Sequence, residues 1–127
     1  MTDFQSTTGS PLTGAMVQDI DATLLPALER HHLRLLAHCL ASFQQMAAPA
    51  RTGAIPSISQ QRLWCETQPT LREDPQFAEL LVHHFQGAAR QLEDLAETLG
   101  ITPLELTLQQ LIDQAMAAAR ARHQPSP

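Results

Sequence analysis

The sequence predicts an all-α fold: a small four-helix, bundle-like domain with a C-terminal αα-hairpin and a disordered N-terminal tail. Three observations predict it. Apolar residues recur at alternating three- and four-residue steps over long stretches, the spacing that lays one stripe along a helix. Helix-start and helix-stop chemistry brackets those stretches, most plainly at Asp74-Pro75, Gly100 and Thr102-Pro103-Leu104-Glu105. No strand-period segment runs beyond a few residues, and no repeat of roughly 20 to 50 residues occurs. With 127 residues and an apolar fraction of 43%, the chain is sized for one domain with a modest core.

Residues 1–18 are rich in Thr, Ser, Gly and Gln and poor in large apolar groups. Such a segment cannot offset the entropy of ordering, so it is expected to be a disordered tail, as are residues 124–127. The helical domain then occupies 19–123. Leu25 precedes Pro26 and is held away from the helical region, which places the first main helix at 26–46. Its apolar residues Leu28, Leu33, Leu35, Leu36, Cys39, Leu40 and Phe43 form an arc wide enough to be covered on two sides. Arg30, His31, Arg34, His38 and Gln45 make the opposite face.

Ala47 to Ile55, with Pro49 and Gly53, reads as a linker. Ser57 with Gln60 is a capping-box pair opening a helix at 57–67 that must stop before Pro69. Residues Pro69 to Glu73 connect onward. Asp74 then caps a long helix at 75–99, whose stripe is Phe77, Leu81, His84/Phe85, Ala88, Leu92, Leu95/Ala96 and Leu99. Gly100 supplies the left-handed residue that closes it, with Ile101 placed for the accompanying apolar contact. The pair Thr102 and Glu105 is expected to open the last helix, 103–122, with the Thr hydroxyl on the Glu N–H and the Glu carboxylate on the Thr N–H. Leu104, Leu108, Leu111/Ile112, Ala115/Met116 and Ala119 form its stripe, and the short turn sends it back alongside its predecessor.

Every basic residue is Arg, and thirteen acids leave a formal charge of −5. No basic field exists to attract nucleic acid or an anionic membrane. The N-terminus lacks a secretory pattern and no stretch approaches the ~18 apolar residues of a membrane span. Cys39 and Cys65 lie far apart inside apolar patterns, as buried thiols of a reducing compartment do. The expected setting is cytoplasmic.

Six histidines include the pairs His31-His32 and His83-His84. His32, Cys39, His84 and Cys65 are the imaginable zinc ligands, but seven residues separate His32 from Cys39, roughly 10 Å along a helix at ~1.5 Å per residue. No metal and no cofactor is expected, and His32 and His84 read as core or boundary residues. Catalysis lacks a motif as well: no glycine-rich phosphate loop, Gly-x-Ser-x-Gly elbow or His-Glu-x-x-His pattern is present. His38 beside Cys39 points about 100° away on a helix and does not serve it as a base.

Leu95-Ala96-Glu97-Thr98-Leu99-Gly100-Ile101-Thr102 resembles the first helix and turn of helix-turn-helix proteins, in which a small residue precedes a Gly by four and an aliphatic follows. It is also similar to the helix junction of ribbon-helix-helix repressors, without their preceding strand. The resemblance implies a DNA-binding regulator using residues 91–119. Charge opposes it. Glu93, Asp94, Glu97, Glu105 and Asp113 fall between Gln91 and Ala119, with no Arg or Lys among them, where phosphate contact needs cations.

The residues therefore point to a non-enzymatic protein-protein interaction module, regulatory or assembly-accessory, with a protein partner and a homodimer expected. The alternatives are the DNA-binding regulator and a small metal-binding or thiol-based helical protein. Surplus apolar perimeter on the 26–46 helix, and Leu106 off the stripe of the last one, mark the expected contact surface. Its residues are Arg30, Arg34, His38, Leu104 and Leu106.

Overall fold

The computed structural model describes residues 13–123, all-helical and without strands among them. The tails expected at 1–12 and 124–127 lie outside the described residues. In chain order the elements are α1 (Gly14–Asp21), α2 (Ala27–Ala47), α3 (Ile58–Thr67), α4 (Pro69–Arg72), α5 (Pro75–Leu99), a 3-10 turn (Pro103–Glu105) and α6 (Leu108–His123). The four long helices expected from periodicity are all present. The short helices α1 and α4 are additional.

Helix α1 corrects the expected tail over residues 14–18. The Thr13 hydroxyl accepts the Met16 N–H at 3.1 Å, a helix cap. Met16, Val17 and Ile20 then share one face, and Ile20 is fully buried in the main core. Three apolar groups at helical spacing offset the ordering entropy that composition alone set against them.

The architecture centres on α2. It packs against α1, α3, α5 and α6 and also meets the 3-10 turn. Leu33, Ala37, Cys39, Leu40 and Phe43 are its buried apolar residues, while Leu28 and Leu35 stay 67% and 51% exposed. On α5 the buried set is Val82, Phe85, Ala88, Ala89, Leu92 and Ala96. Phe77, His84 and Leu99 of the expected stripe are exposed instead. The stripe is thus turned by about one residue, because Val82 and Ala89 complete a face that meets both α2 and α3. Phe85 lies under two aromatic neighbours, its ring centroid 5.0 Å from that of Phe43 and 6.3 Å from that of Trp64. Cys65, Leu71 and Val82 form a smaller satellite core, joined to the main one through Trp64 and Leu81.

Polar chemistry fixes the joints. Ser57 and Gln60 form the reciprocal capping box. Asp74 accepts the Phe77 N–H at 3.1 Å. Gly100, at φ +73°, closes α5 with its N–H on Glu97 O and the Ile101 N–H on Ala96 O, the paired bonds of a Schellman end. Two polar side chains are wholly inside: Ser42 donates to His38 O at 2.9 Å, while Gln61 donates to Pro56 O at 2.9 Å and accepts from Gln86, which also donates to Val82 O. No periodicity marks Gln61, yet its bonds offset the cost of burying an amide.

The C-terminal hairpin differs from expectation in two ways. Residues 103–107 do not enter the last helix. The Glu105 carboxylate accepts both the N–H and the hydroxyl of Thr102, which holds its carboxyl below the usual range, the hydroxyl contributing most. The Thr102 hydroxyl oxygen also accepts the Gly53 N–H at 2.8 Å, and the Leu104 N–H returns to Gly53 O. Gly53 sits at φ +123°, so glycine suits this docking of linker onto turn. Thr107 is the true cap of α6, its hydroxyl accepting the Gln110 N–H and its own N–H donated to Gln110 Oε1. The second difference is one of packing. Among the described residues both α5 and α6 lie against α2, and their backbones approach each other less than either approaches α2.

Mid-helix Gly87 of α5 is half-buried, and a Cβ placed there meets nothing within 4 Å. Gly87→Ala is therefore expected to stabilise the fold by about 0.5–1 kcal/mol, read as a raised urea midpoint. A lowered midpoint would show that unseen packing requires the glycine.

Candidate functional site

Because α5 and α6 diverge from a shared support on α2, an open groove of about 550 Å³ separates them. Helix α2 contributes Leu28, Glu29, His32, Leu33 and Leu36. Gln91 and Leu95 come from α5. The third wall is Leu111, Gln114, Ala115, Ala118 and Arg122 of α6. Spacings of three, four and seven residues put each wall's residues on one helical face. The lining is mainly apolar, with neutral amides at Gln91 and Gln114. Its carboxylate and guanidinium, Glu29 and Arg122, pair with each other across α2 and α6, and His32 adds an imidazole.

Of the five residues expected at a partner surface, Arg30, Arg34 and His38 are partly exposed on α2, whereas Leu104 and Leu106 are not at the surface. Arg30 Nη1 donates to Leu25 O at 2.7 Å, and Arg34 makes an ion pair with Asp21 at 2.7 Å. These bonds fasten the α1–α2 connection, since α1 covers that side of α2. His38 is half-buried, and burial lowers its pKa. Leu104 and Leu106 are buried in the core, and the Gln44 amide donates to both of their carbonyls at 3.1 Å. Leu106 escapes the helical stripe because it is not in a helix. Its segment folds inward against α2, which removes the free apolar surface expected there.

Among the described residues no group of three or more His, Cys, Asp or Glu is placed to hold an ion. His32 and His84, expected at the core or its boundary, are exposed, whereas Cys39 and Cys65 are buried. Burial pushes the Cys39 thiol up to about 11. Cys65 is also raised, by burial first and then by Glu79 and Glu66. Since the thiolate is the reactive form, neither thiol should react with Ellman's reagent in the native protein at pH 8, and both should react in denaturant. Rapid native reaction of either would contradict this packing. The five acids of 91–119 are all exposed, so the helix-turn-helix-like segment presents an acidic surface.

A family model described as NDH complex assembly factor CRR9 matches residues 12–122. The chain belongs to this family. No curated protein and no solved structure matches it. In this CRR9-family chain the matched stretch takes in α1 through α5, nearly all of α6 and every residue lining the groove. An assembly-factor family implies protein partners and gives no support to DNA binding. Among the described residues no helix is long and apolar enough to cross a membrane. Excess apolar perimeter on α2 was a legible signal of the groove. Gln91, Gln114 and Ala118 carried no signal of their own, because the groove exists only once three distant segments are assembled.

Proposed function

We propose that this protein is a non-enzymatic assembly factor of the NDH complex, which binds a subunit or subassembly through the groove between α2, α5 and α6. The observation that carries this reading is the CRR9 match over residues 12–122, nearly the whole described fold. The groove supports it: an apolar, internally neutralised lining suits a protein surface that must be covered while an assembly is incomplete. The two free cysteines suit a reducing compartment, and the cytoplasm is the setting we assign.

Deleting the gene in the native host tests the proposal. Less assembled NDH complex should appear on native gels, with normal levels restored by the wild-type chain. Unchanged complex in the deletion strain would overturn it.

A further inference from the structure

We propose that the groove receives one amphipathic α-helix of an NDH-complex subunit, uncharged on the face it buries. This rests on the assembly-factor reading and names the occupant of that site.

Backbone chemistry selects a helix. The groove walls are stretches of α2, α5 and α6, whose main-chain groups are bonded within their own helices apart from the first turn of α2 and the last turn of α6. An extended segment lying there would bury peptide N–H and C=O groups against walls that offer no ladder of partners, at a cost for each one. A helix satisfies its own. Side-chain spacing agrees: Leu111, Ala115, Ala118 and Arg122 make one ridge and Leu28, His32 and Leu36 another, the rows into which a further helix packs. The α6 ridge covers eleven residue steps, about 16 Å at 1.5 Å per step, or three turns. Ala115 and Ala118 keep that wall shallow enough for close approach.

Charge selects the buried face. Glu29 and Arg122 already neutralise each other, so the lining holds no free carboxylate or guanidinium for an ionic ligand, and a charged group entering it would lose water without gaining an ion-pair partner of that kind. The same pairing disfavours a fatty-acid carboxylate, which would need the arginine free. Gln91 and Gln114 remain to bond polar side chains at the helix edge.

Site-specific photocrosslinking in the native host tests this, with benzoylphenylalanine at Gln114 and, as control, at exposed Asp113 on the far side of α6. The expected major product joins position 114, and not 113, to a helical segment of an NDH subunit. Ala118→Glu should cut its yield about tenfold or more, while Ala117→Glu, exposed about 100° round the helix, leaves it unchanged. Matching thermal melts of the two variants confirm that both fold. A product with a second copy of this chain, with lipid, or with no NDH subunit would overturn the inference. If deletion nonetheless depletes the complex, the assembly-factor reading survives without the groove helix; if deletion changes nothing, that reading fails first.

Discussion

Phe85→Ala is expected to destabilise the protein by about 3–5 kcal/mol, the range for deleting a fully buried aromatic. Phe85 has no exposed surface and touches the rings of Phe43 and Trp64, so it ties α5 to α2 and α3 at once. A cavity there cannot collapse without moving two helices. Since a domain of this size holds roughly 5–15 kcal/mol of stability, the loss would leave a marginal fold. Urea titration followed by the fluorescence of Trp64, the chain's single tryptophan, measures it. A loss below about 1 kcal/mol would mean that the aromatic cluster is not the packed centre of the core.

Leu106→Ala should cost about 2–5 kcal/mol, lowering the melting temperature by on the order of 10 °C. The residue is 2% exposed and lies in the short segment between the 3-10 turn and α6. Its carbonyl is bonded to Gln44, so shortening the side chain also loosens the tether of that segment to α2. A residue whose role was to meet a partner would behave differently: the free protein would melt unchanged and only binding would fall. An unchanged melt would therefore restore Leu106 to the surface.

Local chemistry explains what was legible in the sequence. Helix α5 has the ends that Asp74-Pro75 and Gly100 predict, and Ser57 with Gln60 opens α3 as their spacing requires. Each signal lies within a few residues of what it controls. Thr102 and Glu105 form a capped turn as their spacing requires, but the helix itself begins at a second pair, Thr107 and Gln110. Faces were harder than ends. His84 and Phe85 are adjacent on the α5 stripe, and only the positions of α2 and α3 decide that Phe85 goes inside. Burial of Gln61 and the engagement of Arg30 and Arg34 likewise depend on partners remote from their own helices or just across a loop. The groove is the extreme case, since its walls span residues 28 to 122 and come together only when α5 and α6 are both seated on α2.

Complementation of the deletion strain tests most directly that this groove serves NDH assembly. Wild-type chain and Ala117→Glu should restore assembled NDH complex on native gels, and Ala118→Glu, expressed and melting like the wild type, should fail. Full restoration by Ala118→Glu would contradict the claim.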